Sequence, residues 1–266
     1  RLAFPELMRA APCLTLLLAT PISALLKPVA PESAMGDLIA TTFMPIIGVL
    51  LSNGLYFSGL PAVYRAQKTG TLGDLNVLPL AIMSLSTTSW LAYALSVPNI
   101  FIVLSNLPGV IVAMSYTVLT LPLIKTAPER RQVQFVMIAG ATVIPILWCI
   151  IIFARLDNAR RSFTLGAFAS FLCIILFASP LSTISEVISS RNSVSIYAPL
   201  TAAQVTNCGT WAVYGIAIND PWVWVPNLAG LILGLLQLAL KLVYPSKEDK
   251  TKKRLFDGSD AEDAVP

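Results

Sequence analysis

Two tryptophan–asparagine pairs, Trp90 with Asn106 and Trp211 with Asn227, share a separation of sixteen residues, and the second pair follows the first by 121 positions. An asparagine amide offers one acceptor and two donors, which suits hydroxyl groups that both donate and accept. An indole adds a broad apolar face with an N–H at its edge. Together they describe a site for a neutral ligand with hydroxyls on its rim and C–H groups on its faces. Ser86 and Asn207 lie four residues before each tryptophan, one helical turn away on the same face, and extend the polar lining.

Several chemistries lack their residues. The chain has no histidine, and no Asp, Glu, Lys or Arg falls in the middle of its long apolar runs. Ion-coupled carriers usually place an ionisable relay there, so uncoupled passage is favoured and charged ligands are disfavoured. Cys13, Cys149, Cys173 and Cys208 are dispersed, without Cys-x-x-Cys spacing, and read as small packing residues. No phosphate-binding glycine loop, metal cluster or nucleophile elbow is present, so neither an enzyme, a cofactor nor a metal is expected.

The elements that must carry these residues are membrane helices. Hydrophobic residues make up 56% of the 266 and charged ones 12%, with mean hydropathy +0.74, whereas soluble domains are about a quarter charged. A bilayer core about 30 Å thick needs roughly 20 apolar residues per helix. Seven runs meet that length, six of them charge-free and the last carrying only Lys241 near its end: 43–63, 77–95, 100–124, 133–153, 164–185, 196–218 and 222–244. An eighth apolar stretch, Ala10–Leu26, is interrupted by Pro12 and Pro21; extra helix, targeting segment and partly buried lead-in all remain open.

Lys and Arg sort by side. Twelve (Arg65, Lys68, Lys125, Arg130, Arg131, Arg191, Lys241, Lys247, Lys250, Lys252, Lys253 and Arg254) fall on one side, against Arg155, Arg160 and Arg161 on the other. Positive loops stay cytoplasmic, which places the carboxyl tail in the cytosol. The net charge of +4 follows from this topology, so no nucleic-acid partner is expected.

The 121-residue offset also joins Trp90-Leu-Ala-Tyr93 to Trp211-Ala-Val-Tyr214, and Asn106-Leu-Pro-Gly109 to Asn227-Leu-Ala-Gly230. Two copies of a three-helix unit therefore make up spans one to three and five to seven. An odd-numbered unit copied in tandem would be inverted, and span four restores the orientation. The expected fold is an all-α membrane protein of two parallel three-helix repeats (39–125 and 164–245) joined by a linker helix (133–153). A leader (1–38) precedes them and a disordered cytosolic tail (246–266) follows. The ligand site is expected between the repeats near mid-membrane.

At these residues the chain resembles the SWEET sugar transporters. The pieces that carry the likeness are Leu-Pro-Ala-Val-Tyr-Arg around Pro61, Trp90 with Tyr93, Phe-Ala-Ser-Pro-Leu-Ser around Pro180, and Trp-Ala-Val-Tyr-Gly followed by Asp220 and Val-Pro-Asn-Leu-Ala-Gly. The resemblance implies bidirectional, uncoupled transport of mono- or disaccharides by alternating access, at the plasma membrane or, alternatively, a vacuolar or other endomembrane. It implies proline pivots in spans one, two, five and six. Pro79, Pro180 and Pro199 fill three of those places; the first is Gly59, with Pro61 two residues on. A second departure is Ala94, where the second repeat keeps Gly215.

The resemblance further assigns Ser52, Leu55, Cys173 and Leu176 to the side chains that tune substrate size, and Tyr93 with Asp220 to an outer gate closed by a hydrogen bond. Each polar residue has a plainer reading, because polar groups in membrane helices glue helices together at about 0.6 kcal/mol per contact. A carrier of another neutral solute and a seven-helix scaffold or receptor are the competing readings. A monomer and a homo-oligomer are both compatible with two units completing one pathway.

Overall fold

The computed structural model describes residues 34–73 and 75–246. The Ala10–Leu26 stretch and the tail beyond Ser246 lie outside them. The described residues form helices and turns, without strands. After a short lead-in (Ala34–Leu38 and a π turn Ile39–Phe43), the helices are α1 Met44–Phe57, α2 Leu60–Thr69, α3 Val77–Ser96, α4 Ile100–Thr120, α5 Ala127–Phe153, α6 Asn158–Leu176, α7 Ala178–Ser190, α8 Ala198–Ala217 and α9 Pro221–Val243.

Six rods, Gly36–Thr69, Val77–Ser96, Ile100–Leu123, Ala127–Phe153, Asn158–Ser190 and Pro221–Val243, are long and apolar enough to cross a membrane. Helix α8 has the length, at 20 residues, but carries Gln204, Thr206, Asn207 and Thr210. Most of that polarity faces inward: Asn207 and Gln204 line the central cavity and Thr210 is buried, while Thr206 bonds back to the Ala202 carbonyl.

Several helix starts lie upstream of the charge-free runs. The linker helix begins at Ala127 rather than residue 133, and α6 at Asn158 rather than 164. Charges are tolerated in a first turn that projects beyond the hydrocarbon, and Asp157 caps α6 by accepting from Arg160 N at 2.8 Å. The other caps use the same chemistry. Asn76, Asn99 and Asp220 accept from backbone N–H groups of α3, α4 and α9, respectively, and Gly70 ends α2 in the left-handed region at φ 68°.

The first rod of each triplet is broken. Between α1 and α2 the break falls at Ser58–Gly59, with Pro61 in the first turn of α2; between α6 and α7 it falls at Phe177, three residues before Pro180. Pro79 and Pro199 sit in the first turns of α3 and α8, where a missing N–H costs no helical bond.

Within each triplet the second and third rods pack together, α3 on α4 and α8 on α9. Between triplets the contacts cross over: α1 lies on α8, and α6 on α3. Helix α5 lies mainly against α3, with only Val133, Ile144 and Ile151 of its residues buried. Lipid tails are as apolar as leucine, so close approach rather than hydrophobicity must hold these rods together. Glycines provide that approach. A Cβ on Gly109 would stand 2.6 Å from the Tyr56 ring, one on Gly234 2.6 Å from Val205, and one on Gly215 2.6 Å from the Trp224 backbone nitrogen.

Packing is uneven along the membrane normal. The largest buried cluster gathers Tyr93, Ala94, Ile102, Leu165, Trp211, Tyr214 and Val223 near the ends of α3 and α8. At the opposite, lysine- and arginine-rich end the core splits into two small groups, around Val77 and Val133 and around Val63 and Tyr116. The molecule is closed at one end and parted at the other.

Candidate functional site

A cavity of about 650 Å³ lies between the triplets. All ten residues named from the sequence as ligand-contacting line it: Ser52, Leu55, Ser86, Trp90, Asn106, Cys173, Leu176, Asn207, Trp211 and Asn227. Among the described residues, no Asp, Glu, Lys, Arg or His lines it. Toward the basic end the lining continues through Pro79 and Pro180 to Tyr197, which is 69% exposed and marks the mouth. Pro199, Gly59 and Pro61 are not part of the lining.

The two tryptophans reach across the cavity in opposite senses. Trp211 Nε1 donates to Ser52 Oγ at 3.0 Å, and Trp90 Nε1 donates to Cys173 Sγ at 3.2 Å. Cys173 is 121 residues after Ser52, so the two bonds are the same contact made by each repeat on the other. Ser52 then donates to Asn207 Oδ1 at 2.9 Å. The indole N–H groups are thus engaged by the protein, and what the tryptophans offer the cavity is their faces.

The asparagines match equally closely. Asn106 Nδ2 donates to the Ile102 carbonyl at 2.9 Å and Asn227 Nδ2 to the Val223 carbonyl at 2.7 Å, each one turn back. Asn106 Nδ2 is also bonded to Ser105 Oγ at 2.9 Å. These bonds fix each amide and leave its carbonyl oxygen to accept from a ligand hydroxyl.

The cavity stops below a double latch. Tyr93 OH donates to Asp220 Oδ2 at 2.7 Å, and Ser162 Oγ approaches the same phenol at 3.5 Å. The second bar was missed from the sequence: Asn99 Nδ2 donates to Tyr214 OH at 2.7 Å. The 121-residue offset carries Tyr93 onto Tyr214 and Asn99 onto Asp220, so that offset held the signal. Each bar ties the second rod of one triplet to the cap of the third rod of the other.

Asp220 and Asn99 each use their remaining oxygen as a helix cap, on Trp222 N at 3.1 Å and Ile102 N at 3.2 Å. A carboxylate only accepts, so Tyr93 must donate; an amide nitrogen only donates, so Tyr214 accepts. Burial pushes the Asp220 carboxyl up from the ordinary range, against the opposing pull of the Tyr93 bond and of the Val223 and Trp222 backbone N–H groups. Latch and cavity are in direct contact, because Tyr93 packs edge-on against Trp90 at 5.7 Å and Tyr214 against Trp211 at 5.8 Å.

Comparison with known proteins agrees with this two-repeat arrangement. A family described as "Sugar efflux transporter for intercellular exchange" matches the chain twice, over residues 42–127 and 163–249. The sugar transporter SWEET1 of Drosophila pseudoobscura pseudoobscura is 33% identical over 68% of this chain and 79% of its own length. SWEET1 of Rattus norvegicus is 26% identical over 82% of this chain and 97% of that protein, and the bidirectional sugar transporter SWEET11 of Arabidopsis thaliana is 27% identical over 75% and 69%. Among solved structures, a eukaryotic SWEET transporter at 3.7 Å superposes with a TM-score of 0.71 at 23% identity, over 79% of this chain and 99% of that one, and so shares the fold. One match on each triplet, flanking an unmatched linker helix, makes this chain a member of the MtN3/SWEET family.

Proposed function

We propose that the protein is a uniporter that carries mono- or disaccharides across a membrane in both directions by alternating access. The observation that carries this reading is the uncharged cavity lined by two repeat-related Trp–Asn pairs, latched at one end and parted at the other. The amide oxygens of Asn106 and Asn227 accept from sugar hydroxyls, and the faces of Trp90 and Trp211 hold the C–H faces of the ring. A cavity whose described lining has no Asp, Glu, Lys, Arg or His offers no relay to couple flux to a proton or ion gradient.

The basic end is the cytosolic one, because Lys and Arg accumulate there, and the structure is then open to the cytosol. The membrane we propose is the plasma membrane, with a vacuolar or other endomembrane as the alternative. Opening to the outside breaks both latch bars and closes the mouth, with the breaks at Gly59 and Phe177–Pro180 and the helix starts at Pro79 and Pro199 taking up the rotation. The leucines Leu55 and Leu176, with Ser52 and Cys173, bound the width of the site and so the size of the sugar admitted.

The test is purified protein in liposomes with radiolabelled glucose and sucrose. Sugar equilibrates without an imposed gradient and leaves as readily as it enters. Strict dependence on a proton gradient rejects uniport, and a protein that moves nucleosides or other neutral solutes but no sugar supports the alternative carrier.

A further inference from the structure

The pseudo-symmetry that holds at the latch and the Trp–Asn layer breaks one layer further toward the mouth, where the inward faces of α3 and α8 differ in polarity. Leu80 and Met83 line the cavity on the first repeat's wall, while their counterparts 121 positions on, Thr201 and Gln204, line the opposite wall. The counterpart of Tyr116 is Gln237, which also lines the cavity. Tyr116 itself is turned away, 4% exposed and packed against Gly59, where a Cβ would stand 3.1 Å from its ring.

Solvation alone does not account for this. Both walls flank the same aqueous mouth, so water would favour polarity on both. Instead the α8–α9 face supplies a hydroxyl and two carboxamides and the α3 face a branched alkyl chain and a thioether, the first repeat's own hydroxyls, Tyr56 and Ser58, coming from the end of α1. The amides are only lightly engaged: Gln204 Nε2 makes a 3.4 Å contact to Cys208 Sγ and Gln237 Nε2 one to the Pro180 carbonyl, also 3.4 Å. Each still has a carbonyl oxygen and a further N–H to offer. A wall of hydrogen-bonding groups facing an apolar wall repeats, with different residues, the chemistry by which the central layer fits a pyranose or furanose ring.

We infer that this vestibule is a second sugar-ring subsite, in line with the Trp–Asn layer, so that the cavity accommodates a disaccharide with one ring in each layer. The inference rests on the transport reading and specifies its substrate class. The central layer holds the first ring symmetrically, and the α8–α9 face hydrogen-bonds the second ring. The substrate therefore enters from the mouth with a fixed end leading.

The test gives the second repeat the residues of the first. In Thr201→Leu/Gln204→Met, binding of glucose and of sucrose is measured by quenching of tryptophan fluorescence in detergent, alongside the wild type. Sucrose affinity falls by about tenfold, the loss expected for two or three hydrogen bonds, while glucose affinity stays within about twofold. Retained glucose binding reports that the variant is folded. The milder Gln204→Glu variant, which keeps an acceptor but loses the donor, falls between the two for sucrose. Equal losses for both sugars, or none for either, overturn the second subsite and leave the transport reading standing. A wild-type protein that binds no saccharide overturns both.

Discussion

The two triplets of this molecule are copies that agree in geometry and disagree in chemistry, and the disagreement is least at the centre of the pathway and greatest at the mouth. At the Trp–Asn layer they are interchangeable, each tryptophan bonded to the same position of the other repeat and each asparagine to the carbonyl one turn back. At the latch the bond is kept but its character changes, carboxylate on one side and amide on the other. At the mouth the walls part company altogether. Groups that must meet across the two-fold axis are held to a common geometry, and groups that face open space are not.

The largest expected effect tests the layer where the repeats agree. Asn106→Ala and Asn227→Ala should each lower sugar flux by about 10- to 100-fold, because the site then leaves a substrate hydroxyl without its partner. The two losses should be nearly equal in a liposome assay. A variant that loses flux alone while its repeat-mate does not would show that the copies have diverged here too.

Next comes the latch. The Tyr93–Asp220 bond is charge-assisted and roughly twice as strong as the neutral Asn99–Tyr214 bond. Tyr93→Phe should therefore open the latched end more than Tyr214→Phe does. Cys173, inside the cavity, reports this if it is the only cysteine retained. A membrane-impermeant thiol reagent added on the latched side should label it faster in both variants, and fastest in Tyr93→Phe. Equal rates would mean that the charge on Asp220 contributes nothing to closure.

These comparisons also show what was readable in the chain itself. Charge-free length gave the rods, and the 121-residue offset gave their grouping. Their ends were read short because first-turn charges such as Arg160 and Arg161 project from the helix and interrupt the run without ending it. Trp90, Asn106, Trp211 and Asn227 were accessible because they are duplicated, and Ser52, Leu55, Cys173 and Leu176 only through the family resemblance. Asn99 was not singled out because an amide and a carboxylate look unrelated until both are seen to meet a tyrosine. The Leu80/Thr201 and Met83/Gln204 differences read as ordinary drift, since nothing in a string of letters says that those positions face each other across a cavity.

A smaller effect separates the repeats where the second rod of each meets the third. Gly215→Ala must push aside the Trp224 backbone, 2.6 Å from the new carbon, and should cost about 1–3 kcal/mol. The first repeat has Ala94 at that place, fully buried at 0% exposure, so its α3–α4 crossing is already built around a methyl group. Ala94→Gly should cost only about 0.5–1 kcal/mol, from helix entropy. Thermal unfolding in detergent orders the two, and a reversed order would mean that the α8–α9 crossing is the more yielding one.

The smallest change in stability is expected where the copies use different means for the same bend. Gly59 has helical torsions, φ −75° and ψ −16°, so alanine fits its backbone and should gain about 0.4–1 kcal/mol by restricting the unfolded chain. The Tyr116 ring edge, 3.1 Å from the new methyl, must shift slightly and offsets part of that gain. Gly59→Ala should therefore leave the melting temperature almost unmoved. Flux is a different matter. If the α1–α2 break flexes during each cycle, the added methyl sits in the joint, and turnover slows while sugar affinity holds. Pro180, the corresponding residue of the second repeat, has no N–H to bond and so keeps its own break open at any turnover. An unchanged rate in Gly59→Ala would thus assign the bending to the second triplet alone, and make the first a rigid wall against which the other moves.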